Sequence, residues 1–163
     1  MNPMDRHNGS WVIALSLMAA FLLTIMPLPE WAIDWRPAWV VMVLIYWCMA
    51  LPERIGIGTA WGLGILLDVQ HGAVLGQNAL SLSVVAYITL KSYQRIRVFP
   101  LMQQAISVYC YVILFKSVLV WIKSMLSIPP PNWTFWLPAI TSAVLWPWLF
   151  IFLRSIRRKY KVT

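Results

Sequence analysis

The chain alternates long apolar runs with short polar joints. Apolar stretches occupy about residues 11–27, 37–51, 55–70, 76–90, 99–122 and 135–153. The joints carry turn chemistry: "PLPEWAIDWRP" after the first run, "PERIG" after the second, a glycine-rich segment after the third, "KSYQRIRVF" after the fourth and "KSMLSIPPPNWTF" after the fifth. Pro129, Pro130 and Pro131 stand in a row and cannot continue a helix, so the fifth joint reads as a stiff extended loop. Runs such as "VVMVLIYWCMAL" are continuously apolar and lack the strict alternation of a barrel strand. The pattern therefore predicts an all-α chain of six helices. Several runs are only about 15 residues, roughly 22 Å of helix against a hydrocarbon core of roughly 30 Å, so interfacial residues must complete them or the bilayer must thin.

Composition says what these helices are dissolved in. Of 163 residues, 61% are hydrophobic and 11% charged. With a mean hydropathy of +0.72, this points to a polytopic integral membrane protein, with residues 1–163 forming a single transmembrane domain. The N-terminal run superficially matches a signal peptide, but it ends in bulky Ile25 and Met26 where a cleavage site wants small residues, and it reads as a retained first span. Cys48 and Cys110 lie in separate apolar runs without a partner motif, as packing residues do.

The cations are unevenly placed. With six spans, both termini and the second and fourth joints share one side, and that side holds Arg6, Arg54, Lys91, Arg95, Arg97, Arg154, Arg157, Arg158, Lys159 and Lys161. The other side holds Arg36 and Lys123, which predicts both termini in the cytoplasm. Trp31, Trp35, Trp39, Trp121, Trp133 and Trp136 fall at the opposite, outer boundary, as an interfacial belt would; Trp61 does not, and is expected between helices. The end of the chain, residues 154–163, reads as a basic cytoplasmic tail: a stop-transfer anchor, an anionic-lipid contact or a docking strip. A net charge of +8 without a soluble domain fits membrane orientation and argues against nucleic-acid binding.

Six of the seven glycines lie between Gly56 and Gly76. Gly58 with Gly62, Ala60 with Gly64, and Gly72 with Gly76 make three small-xxx-small pairs, the spacing that lets helix backbones approach closely in lipid. The third and fourth spans are thus expected to be the most crowded part of the fold. Asp68 sits in this segment near the outer end of the third span, where an unpartnered carboxylate is costly. Three roles are open to it: accepting hydrogen bonds from the following turn or helix, an intramembrane ion pair with Lys116, or a proton or ion site. Lys116 can also snorkel toward the headgroups on its own.

Catalytic chemistry is sparse. The acids are Asp5, Glu30, Asp34, Glu53 and Asp68 and the histidines His7 and His71, too few to assemble a convincing metal site or nucleophilic triad. No phosphate loop, dinucleotide turn or H-E-x-x-H pair is present, so no cofactor is expected and an enzyme is disfavoured.

The stretch "GLGILLDVQHGAVLGQNAL" (62–80), with Asp68, Gly72, Leu75, Gly76, Ala79 and Leu80 in register, resembles the signature of the MreD family of rod shape-determining membrane proteins. "RPAWVVMVLIYWCMALPERIGIGTAWGLG", opening on Arg36 and Pro37, and "LWPWLF", with Trp146, Pro147 and Trp148, extend the resemblance over nearly the whole chain. The resemblance implies a non-catalytic part of the machinery that inserts side-wall peptidoglycan. It would sit in the inner membrane, associate with MreC, and work with the MreB filament, RodZ, RodA and a penicillin-binding transpeptidase; a homodimer within that complex is left open. It also implies a fold similar to the six-helix substrate-binding components of energy-coupling-factor transporters. The rival reading is a small-molecule-binding component of a transporter, with Asp68, Lys116 and tryptophans around a pocket.

Overall fold

A computed structural model describes residues 9–162. Arg6, one of the orienting cations, falls outside them. The described chain is helical throughout, with seven α-helices: α1 Ser10–Ile25, α2 Glu30–Ile33, α3 Trp39–Ala50, α4 Ile57–His71, α5 Gln77–Ile96, α6 Leu101–Met125 and α7 Leu137–Lys159, the last entered through a 3-10 turn at Trp133–Trp136. Proline and glycine set most of the boundaries. Pro27 and Pro29 follow α1, Pro37 precedes α3, Pro52 follows it, and Pro100 stands directly before α6. The one-turn α2 interrupts a joint that the sequence pattern reads as loop, its Glu30 placed favourably at a helix start.

Two helices run beyond their apolar stretches. α5 continues from Lys91 to Ile96, and α7 carries Arg154, Arg157, Arg158 and Lys159 inside the helix. No glycine or proline lies in either extension, and Lys, Arg and Gln are good helix formers once they reach water. The basic residues from Arg154 to Lys159 therefore form the last turns of α7, and Lys161 follows in the turn after it. Pro147 sits within α7, a position membrane helices tolerate when neighbours re-satisfy the freed carbonyl.

The organising element is α3. Every residue from Val40 to Met49 is buried, on all sides of the helix, as expected of a helix apolar all round. It packs on α1, α5 and α7, while α4 pairs with α5, α5 with α6, and α6 with α7. Side-chain hydrogen bonds tie these contacts: Trp47 Nε1 donates to Ser16 Oγ at 2.8 Å, and the Ala38 N–H at the start of α3 donates to Ser142 Oγ of α7 at 3.0 Å. The described ends also meet, with Val162 packed against Gly9 and Tyr160 edge-on to Trp11 at 5.1 Å.

Much of the exterior is apolar too. Met18 and Leu22 on α1, Leu66 and Val69 on α4, Met102 and Ile106 on α6, and Trp148 and Phe152 on α7 are all exposed. α6 and the segment Trp133–Lys159 are long and apolar enough to cross a membrane, whereas α1 and α3 are apolar but shorter.

Candidate functional site

The signature stretch folds into a tight α4–α5 corner whose polar centre is Asp68. α4 ends in a Schellman motif: Gly72, at φ +60°, gives its N–H to the Val69 carbonyl at 3.3 Å, and the Ala73 N–H reaches the Asp68 carbonyl at 3.0 Å. A few residues on, Gly76 at φ +106° is the N-cap of α5 and supplies no side chain to cap it. Asp68 does so instead. Its Oδ2 accepts the Gly76 N–H at 2.9 Å, and its Oδ1 accepts both the Asn78 N–H and Asn78 Nδ2, each at 2.9 Å. The fully buried carboxylate thus satisfies donors in the first turn of α5 and sits at the positive end of that helix.

Asp68 does not pair with Lys116. The Lys116 ammonium lies over the Phe135 ring, 4.2 Å from its centroid, and Lys123 lies over the same ring at 5.5 Å. The carboxylate already accepts three hydrogen bonds from the local turn and the start of α5, which are nearer in sequence.

The glycines divide by face. A Cβ built at Gly64 would stand 2.2 Å from Ala79 Cα and 2.4 Å from Ala79 N, so α4 and α5 touch backbone to backbone at this point. Ala60, Leu67, Asp68 and Ala79 are buried around it. At Gly58 and Gly62 a Cβ would meet nothing within 4 Å, so that pair makes no close approach among the described residues. Helical periodicity puts both on the outward face with Trp61, which is 57% exposed rather than wedged between helices as the sequence suggests. Gly72 and Gly76 act through left-handed backbone, with open space at their own Cβ positions; their spacing reflects the corner and not a packing stripe. Leu75 and Leu80, also in the signature, are exposed.

At the same end of the bundle, a cavity of about 410 Å³ opens between α1, α3, α4, α5, α6 and α7, with Arg36, Lys116, Lys123, His71 and Gln77 in its wall. Arg36 reaches back to the Thr24 and Met26 carbonyls, the unsatisfied C-terminal groups of α1. Pro37, beside it, precedes α3. At the opposite end, Gln104 is the organiser. Buried on α6, it donates through Nε2 to the Ile96 and Phe99 carbonyls at 3.3 and 3.2 Å, while its Oε1 accepts from Trp146 Nε1 at 3.4 Å. This joins the α5–α6 turn to α7 and gives buried Trp146 its partner; Trp148, two residues on, faces outward. Sequence reasoning did not single out Gln104, Asn78 or Phe135. For Gln104 and Asn78 the available signal was an amide pair, Gln103–Gln104 and Gln77–Asn78, near the start of an apolar run, where buried amides have to find partners; Phe135 carried none.

Two comparisons bear on this arrangement. The model of the family described as rod shape-determining protein MreD matches residues 5–156. The Haemophilus influenzae protein named rod shape-determining protein MreD is 36% identical over 153 residues, spanning 93% of this chain and 94% of that relative. No solved structure matches the chain. A helical membrane protein similar end to end to a rod shape-determining protein, and matched by the family model from residue 5 to residue 156, belongs to the MreD family of rod shape-determining proteins.

Proposed function

We propose that the protein is a non-catalytic scaffold of the side-wall elongation complex in the bacterial inner membrane. In this reading residues 1–163 form one transmembrane domain of six spans, with both termini in the cytoplasm, and MreC is the nearest partner. MreB, RodZ, RodA and a penicillin-binding transpeptidase complete the complex. The observation that carries the reading is the pairing of MreD-family membership with an exterior of exposed Met, Leu, Trp and Phe on α1, α4, α6 and α7. Surfaces of that kind meet lipid or other membrane helices, and the short joints leave little else through which to act. The adjacency of Gly9 and Val162 supports an even number of crossings, since both ends of the described chain lie at one end of the bundle. The test is depletion followed by microscopy, with a detergent pull-down from complemented cells. Rounded cells and recovery of MreC are expected; normal rods on depletion would contradict the role.

A second reading has one observation in its favour, the 410 Å³ cavity walled by Arg36, Lys116 and Lys123. As the binding component of a transporter the protein would carry a small anion there, and purified protein would release a solute that Lys116→Gln fails to retain.

A further inference from the structure

The end of the bundle where α7 terminates contains a second, larger cavity, of about 630 Å³. Its rim is cationic: Arg97 comes from the α5–α6 turn, Arg154, Arg157 and Arg158 from the end of α7, and Lys161 from the turn that follows it. The α7 cations Arg154, Arg157 and Arg158 stand at i, i+3 and i+4, so helical geometry gathers them on one side. Lys161 is brought into the group by a left-handed turn at φ +47°, in which the Val162 N–H bonds the Arg157 carbonyl at 3.1 Å and folds the chain back on itself. Arg97 is fixed opposite them by the Gln104 bonds to the Ile96 and Phe99 carbonyls on either side of it.

Like charges three and four apart on a helix repel, and none of the carboxylates among the described residues lines this cavity to offset them. The C-terminal dipole of α7 favours its own last-turn cations, but it does not account for Arg97 being held against them from another element. The floor is apolar, with Met49, Ala50 and Phe150, and the Tyr46 and Phe150 rings meet edge-on at 5.6 Å. One turn before Arg154, Ile151 and Phe152 are exposed apolar side chains, so the cation cluster begins where the lipid-facing belt of α7 stops. A cationic mouth over an apolar floor at that depth fits an amphiphilic anion, with a phosphate at the rim and a chain along the aromatic wall.

We propose that this cavity is a binding site for the phosphate headgroup of an anionic phospholipid of the cytoplasmic leaflet. The inference rests on the orientation given above, with the end of α7 at the cytoplasmic face. Lipid retention by purified protein reads the site whatever the orientation, so failure of the one is distinguishable from failure of the other.

The test uses the full-length protein, purified in a neutral detergent and stripped of lipid. It is exposed separately to phosphatidylglycerol, cardiolipin, phosphatidylethanolamine and inorganic phosphate, with native mass spectrometry and thermal unfolding as readouts. Wild type is expected to retain phosphatidylglycerol or cardiolipin at least tenfold over phosphatidylethanolamine and to be stabilised by them. Arg97→Gln combined with Arg154→Gln should lose that preference. Lys91→Gln combined with Lys159→Gln, which removes the same charge from residues outside the cavity wall, should keep it. Equal retention of anionic and zwitterionic lipid by wild type overturns the proposal without reference to any variant. So does an equal loss in the two double variants, which would mean diffuse attraction, or equal stabilisation by inorganic phosphate at matched concentration, which would mean a free-anion site.

Discussion

The two faces of α4 use the same residue type in opposite ways. On the inner face Gly64 is pressed against the backbone of Ala79, and Asp68, one turn on, is locked into the start of α5. On the outer face Gly58 and Gly62 stand in open space beside exposed Trp61, Leu66 and Val69. Small residues four apart therefore do not by themselves mark a helix contact within the chain. What distinguishes the packed pair is the carboxylate on its side of the helix, because buried donors and a close backbone contact have to be satisfied together.

That contrast predicts a ranked series of single substitutions, each read by thermal unfolding of the detergent-solubilised protein. Gly64→Ala should have the largest effect, because the new methyl collides with main chain that cannot step aside; about 3 kcal/mol of destabilisation is expected, at the upper end for overpacking. Wild-type melting of this variant would mean that α4 and α5 are not in contact there. Asp68→Ala should follow, at about 2 kcal/mol, since it strands the Gly76 and Asn78 N–H groups in a buried corner. Gly76→Ala is expected to cost about 1–2 kcal/mol through its φ of +106° alone, as nothing crowds its Cβ position. Gly62→Ala should reverse the sign, gaining about 0.5 kcal/mol from a more rigid helix with no clash. If Gly62→Ala and Gly64→Ala melt alike, the distinction between the faces is lost.

The sequence carries the helices plainly, because in lipid every backbone group must be bonded internally and Pro27, Pro52, Pro100 and Pro129 punctuate the apolar runs. Capping by Asp68 was one of three readings open to it, and its donors lie only eight and ten residues away, within reach of local reasoning. The inner face of α4 was not legible, since apolar and small residues recur on both sides of that helix. Polar helix ends at Lys91–Ile96 and Arg154–Lys159 were missed because a hydropathy run reports where lipid stops, which is not where hydrogen bonding stops. The two cavities draw on elements far apart in the chain, such as Arg97 with Arg154 and Arg36 with Lys116, and pairings of that kind have no local signature.

The account as a whole depends on the bundle lying across the membrane with its two ends on the cytoplasmic side. The direct measurement is labelling of spheroplasts with a membrane-impermeant maleimide, in a chain whose Cys48 and Cys110 are replaced by Ser and which carries either Asn132→Cys or Lys161→Cys, both at exposed positions. Asn132→Cys should label in intact spheroplasts and Lys161→Cys only after permeabilisation. Labelling of both from the same side, or of Lys161→Cys from outside, would contradict it.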